Sequence, residues 1–106
     1  MIDELAAEMQ SQWPGAPAEI VANAARQAVE EGVAVKGGLT VERLARHAFI
    51  AHVRHTRTRY DAIIRRQTKR VTRSWKFQSA RTMHQAKEKA RRAVAKKLGT
   101  ILEGWR

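Results

Sequence analysis

The chain has 106 residues, with 21 Lys and Arg against 10 Asp and Glu, a net charge of +11 and no cysteine. That length suits one domain with a modest core; lack of cysteine rules out a disulfide framework or a thiolate metal site; and no apolar run approaches the ~18 residues of a membrane span. The acidic opening Ile2-Asp3-Glu4 is unlike a signal peptide, so the expected setting is cytoplasmic, in one form nucleoid-associated, with no membrane partner. Charge is also strongly uneven. Residues 1–42 hold seven acids and two bases, whereas residues 43–106 hold nineteen bases and three acids.

Ile2, Leu5, Ala6, Met9 and Trp13 recur at spacings of three and four and predict a short amphipathic helix ended by Pro14-Gly15-Ala16-Pro17. Pro17 suits the first turn of a second helix with an apolar face of Ile20, Val21, Ala24, Ala25 and Ala28, and Gly32 supplies its stop. Val33 to Gly38 reads as a loop. Thr40 is the expected N-cap of a third helix, with Leu39 and Leu44 as a hydrophobic staple. This helix should run from Val41 to about His55. Its buried stripe is Val41, Leu44, Ala45, Ala48, Phe49 and either His52 or Val53, leaving Arg43, Arg46, Arg54 and Arg57 outside.

Thr58-Arg59-Tyr60-Asp61 has the form of a capping box with Asp in the Glu place, opening a fourth segment anchored by Ile63 and Ile64. Residues 65–78 lack apolar periodicity and are rich in Arg and Thr, which predicts a basic loop or fraying helix whose order depends on a partner. A last helix starts near Thr82 and Gln85. Its stripe is Met83, Ala86, Ala90, Ala93, Val94, Leu98, Ile101, Leu102 and Trp105, with Gly99 as a place to kink or end. No alternating strand pattern occurs. The expectation is an all-α single domain over 1–106, a small bundle of four to five helices with acidic N-terminal helices and a strongly basic remainder.

His52-Val53-Arg54-His55, followed by Thr58, Tyr60-Asp61 and Ile63-Ile64, resembles the motif of the family called domain of unknown function 2293. Pro14-Gly15-Ala16-Pro17 before an Ala-rich helix, and Ala90-Arg91 leading through Val94 and Leu102 to Trp105-Arg106, resemble its flanks. The resemblance covers most of the chain and implies no particular activity. Between Ile64 and Lys87 the chain departs from the family pattern with a longer basic stretch that contains Trp75 and Phe77.

From Arg43 to Lys87 the only acid is Asp61, so the cations repel one another unless a polyanion neutralises them. The partner this implies is DNA or RNA, held mainly through its phosphate backbone, where each neutralised phosphate releases condensed counterions. Fourteen of the bases are Arg, whose planar fork suits phosphate oxygens and guanine edges. The expected binding residues are Arg54, Arg57, Arg59, Arg65, Arg66, Lys69, Arg70, Arg73, Trp75, Lys76, Phe77 and Arg81. Trp75 and Phe77 either stack on unpaired bases or plug the core from a loop.

His52, His55, Tyr60 and Asp61 form the alternative centre. Two His three residues apart share a helix face, and with Asp61 they would divide acid and base roles or hold a metal in a phosphodiester-cleaving enzyme. No full metal signature is present, and no metal or cofactor is assigned. The plain structural account of the same residues is a brace in which Thr58 and Asp61 cap, Arg57 pairs with Asp61, and His52 and Tyr60 meet buried partners. A third possibility is a protein-interaction module, or self-association, through the N-terminal helices.

Overall fold

The computed structural model describes residues 2–32, 40–72 and 80–106, and for the side chains residues 2–32, 40–66 and 83–106. It contains five helices and, among the described residues, no strand. These are α1 (Ile2–Gln12), α2 (Ala18–Glu30), α3 (Val41–Arg57), α4 (Tyr60–Thr72) and α5 (Ala80–Trp105). No described helix is long and apolar enough to cross a membrane. The chain forms two compact units: Met1–Val53 with Thr100–Arg106, and Arg54–Gly99.

In the first unit α1 packs on α2. Leu5 and Met9 of α1 and Ile20, Val21, Ala24, Ala25 and Ala28 of α2 are buried, as their spacing predicts. The turn between these helices is held by one side chain: the Gln10 amide donates to the carbonyls of Trp13, Pro14 and Ala16 at 3.1 to 3.3 Å. Pro17 sits at the N-cap of α2, one position before the helical turn expected for it, with φ −58° and no side-chain cap. Gly32 closes α2 with φ 71°, a left-handed conformation that glycine adopts without a Cβ clash.

Aromatic rings link the start, middle and end of the chain. Trp13 stacks on Phe49 of α3 with centroids 4.6 Å apart, and Trp105 meets Phe49 edge-on at 6.0 Å. The Gly15 N–H donates to the Trp105 carbonyl at 2.8 Å, satisfying a helix-end acceptor that has no intrahelical donor. At the start of α3 the Thr40 hydroxyl accepts from the Arg43 N–H at 3.3 Å, the predicted N-cap. Leu39, the expected staple partner, lies outside the described residues, as does the Val33–Gly38 loop. Leu44, Ala45, Phe49 and Val53 are buried. Val53, not His52, completes the stripe.

The second unit has a small core of Tyr60, Ala90 and Val94, with Ile63 and Ile64 packed against it. Here the structure corrects several expectations. Residues 65–72 continue α4 as helix, since straight-chain Arg, Gln and Lys lose little rotamer freedom in a helix even without an apolar stripe. Residues 73–79, with Arg73, Trp75, Lys76 and Phe77, lie outside the described residues. The capping box at Thr58 does not form. Arg59 supplies the carbonyl for the first α4 bond, to Ile63 N–H at 2.9 Å, and Asp61 turns to His55. On α5 the buried positions are Ala86, Ala90, Val94 and Leu98, four apart, so Ala93 falls on the exposed side. The helix also runs through Gly99 to Trp105.

Two glycines should respond oppositely to alanine. A Cβ at Gly99 meets nothing within 4 Å, and Gly99→Ala removes the backbone-entropy cost of a mid-helix glycine, a gain of about 0.5–1 kcal/mol. A Cβ at Gly15 lies 3.1 Å from the Trp105 carbonyl oxygen and 3.2 Å from its Cα, so Gly15→Ala should cost about 1–3 kcal/mol through overpacking. Urea denaturation of the two variants checks both signs.

Candidate functional site

The second unit carries more than the whole of the chain's excess positive charge. Arg54–Gly99 contains sixteen Lys and Arg against two acids, a net of +14, while the first unit has five bases against eight acids, a net of −3. The boundary thus falls later than the compositional change near residue 42, and Arg43 and Arg46 belong with the acidic unit. There they line a shallow cleft of about 230 Å³ with Glu8, Gln12 and Glu42. Gln12 anchors one wall, donating to the Glu42 carbonyl at 3.0 Å and the Glu8 carboxylate at 3.2 Å.

In the second unit Arg57, Arg59, Arg65, Arg66, Lys87, Lys89, Arg91, Arg92, Lys96 and Lys97 are exposed. Both acids are engaged: Glu88 pairs with Arg91 at 3.0 Å, and Asp61 with His55. Lys69, Arg70 and Arg81 lie on α4 and α5, with side chains outside those described. The α5 cations from Lys87 to Lys97 were missed as candidates by sequence reasoning. Their signal was the i, i+3, i+7 spacing of Lys89, Arg92 and Lys96 off the buried stripe, which puts them on one exposed side of the helix.

The His55 cluster follows from how α3 ends and α4 begins. The last turn of α3 is basic, with Arg54, His55 and Arg57, and the first turn of α4 carries Asp61, each complementing its helix dipole. Only Thr58 and Arg59 separate the two helices. The Thr58 hydroxyl donates to the Arg54 carbonyl and accepts from the Tyr60 N–H at 3.2 Å, joining the end of one helix to the start of the next. This brings His55 Nδ1 within 2.5 Å of Asp61 Oδ1. A carboxylate only accepts, so Nδ1 carries the proton, and in the neutral ring Nε2 keeps its lone pair. Tyr60, 3% exposed, meets His55 edge-on at 4.9 Å, and the Arg54 guanidinium carbon lies 5.5 Å from the same phenol ring.

His55, Tyr60 and Asp61 therefore converge as expected, with Arg54 joining them. His52 does not. Its Nδ1 donates to Gln27 Oε1 on α2 at 2.7 Å, an amide orientation fixed by Gln27 Nε2 donating to Glu31. The expected Arg57–Asp61 pair gives way to His55–Asp61, because the break at Thr58 ends the continuous i,i+4 spacing. Among the described residues no three His, Asp or Glu side chains converge as a metal-binding group.

The chain matches the model of the family described as Uncharacterized conserved protein (DUF2293) over residues 8–106, and it belongs to that family. No curated protein and no solved structure matches it.

Stability should separate the buried member of the cluster from the exposed ones. Tyr60→Ala removes a ring packed on Ala90, Val94, Ile63 and Ile64 and should cost about 3–5 kcal/mol. Thr58→Ala should cost about 1 kcal/mol by removing the two hydrogen bonds of its hydroxyl. The His55 and Asp61 side chains are 45% and 51% exposed, so His55→Ala should lie within about 0.5–1 kcal/mol of the parent. Equilibrium denaturation of the three variants measures this order.

Proposed function

We propose that this protein binds nucleic acid, DNA or RNA, chiefly through phosphate-backbone contacts made by the basic residues of Arg54–Gly99. The observation that carries this reading is a net charge of +14 within that one unit, with its cations exposed on α3, α4 and α5. Such a surface attracts a polyanion and gains affinity from released counterions without a shaped pocket. An evenly solvated protein surface would intersperse acids among these bases. Here only Asp61 and Glu88 do so, and each faces a local partner. The reading places the protein where nucleic acid is, in the cytoplasm or on the nucleoid.

The apolar stripes of α1 and α2, which would otherwise suit a protein partner, are buried; Ile2, at 41%, is the exposed large hydrophobic among the described residues. Among the described residues no other large hydrophobic is exposed to support the interaction-module reading.

Labelled duplex DNA, single-stranded DNA and structured RNA should each bind at 50 mM salt. With six or more phosphates neutralised, affinity should fall about a thousandfold or more by 200 mM. Replacing Lys89, Arg92 and Lys96 by Gln should lower the slope of log affinity against log salt by about one unit for each phosphate left without its cation. Gln at Arg26 and Arg43 of the first unit should leave it unchanged. Absence of binding to all three probes at low salt would overturn the proposal.

A further inference from the structure

We infer that His55 and Asp61 form a carboxylate–histidine pair that cleaves single-stranded RNA by activating the ribose 2′-hydroxyl, with Arg54, which contacts the same Tyr60 ring, to meet the phosphate. This inference rests on the nucleic-acid reading above and adds a reaction to it.

Three features of the cluster support the step. First, Asp61 occupies Nδ1 of His55 at 2.5 Å, which fixes the tautomer and leaves Nε2 as the base; a carboxylate in that place also stabilises the imidazolium that forms. Second, the His55 side chain is 45% exposed, which leaves part of the imidazole at the protein surface. Third, the Arg54 guanidinium rests over the Tyr60 ring that also holds His55 edge-on, and no carboxylate pairs with it among the described residues. A guanidinium held on the same ring as the base can neutralise charge that builds on the nonbridging phosphate oxygens.

These groups match a reaction that needs, besides them, only water as a proton carrier. His55 Nε2 takes the proton from the 2′-hydroxyl, and the 2′-oxygen forms a bond to the adjacent phosphorus. The bond from phosphorus to the 5′-oxygen breaks, that oxygen takes a proton from water, and the hydroxide left behind takes the proton held on His55 Nε2, so that the base and the water are both regenerated. The products are a 2′,3′-cyclic phosphate and a free 5′-hydroxyl; no oxidant, reductant or further reactant enters. DNA lacks the nucleophile. The cluster supplies two ligating side chains, His55 and Asp61, fewer than the three that a catalytic zinc site draws from protein. A 2′-hydroxyl nucleophile generated by a base is the phosphodiester chemistry that this donor set fits.

The test uses the full-length protein, a single-stranded RNA oligonucleotide labelled at its 5′ end, and EDTA throughout. RNA should be cut to products ending in 2′,3′-cyclic phosphate, and the same sequence as DNA should bind and stay intact. His55→Ala should lose about a hundredfold or more of the cleavage rate while binding RNA as the parent does. Added imidazole should restore part of that rate. Asp61 acts through His55 as a positioning residue, so Asp61→Asn should lower kcat with little change in KM, and Asp61→Glu should recover much of the loss. RNA that binds but is not cut would overturn the cleavage step and leave the binding proposal standing. Cutting that persists in His55→Ala would overturn the step as well. Failure of every nucleic acid to bind would remove both.

Discussion

The ring of Phe49, stacked on Trp13 and met edge-on by Trp105, sets the terms for the rest of the first unit. It joins the end of α1, the middle of α3 and the final turn of α5, segments far apart in sequence whose closure costs chain entropy. The burial of Trp13 and Phe49, together with the backbone bond from Gly15 to Trp105, offsets that cost. One penalty is retained: the buried Trp13 Nε1 has no hydrogen-bond partner among the described residues, a loss of about 1–3 kcal/mol. The Gln10 amide shapes the Trp13–Ala16 turn so that Gly15 can approach the α5 terminus. Glycine is needed there for closeness of approach, not for an unusual backbone angle.

The second unit works under a different constraint. Its described core of Tyr60, Ala90, Val94, Ile63 and Ile64 is small, and its cations oppose compaction. Alanine at 86 and 90 limits what α5 buries, so the helix relies on good helix formers along its length: Lys, Arg, Ala, Gln and Glu fill most of residues 84–97. Intrinsic propensity thus supports a helix that exposes Lys87, Lys89, Arg91, Arg92, Lys96 and Lys97. A bound polyanion would add to the stability of such a unit, because it removes the repulsion that folding creates.

Sequence reasoning reached the elements where apolar period and cap agree. The stripes of α1 and α2, the Thr40 cap and the stripe of α3 were readable because one pattern served both local structure and burial. It failed where the two signals separate. Residues 65–72 have helix propensity without an apolar face, and a rule based on periodicity leaves them open between a loop and a fraying helix. Thr58 offered a capping motif, yet its hydroxyl serves the carbonyl of Arg54 and the N–H of Tyr60, which only the geometry of two abutting helices determines. The choice between Val53 and His52 also could not be made from spacing. It depends on Gln27 of α2 standing opposite to receive the His52 ring.

The same junction explains why His55 and His52, three residues apart on one helix, have separate roles. His52 faces α2 and belongs to the packing of the first unit. His55, in the last turn of α3, lies beside the chain reversal that carries Asp61 back toward it. Had α3 continued straight through Thr58, Asp61 would stand six residues along the helix from His55, on a different face and about 9 Å farther along the axis. The break at Thr58-Arg59 is therefore what makes the carboxylate–histidine pair. Tyr60, buried directly after the break, anchors that geometry in the core of the second unit, while His55 and Asp61 remain at the surface among its arginines. Any chemistry at His55 thus depends on the two-residue helix junction that sets its distance to Asp61, and the exposed arginines of the same unit are the cations that would draw a phosphate chain toward it.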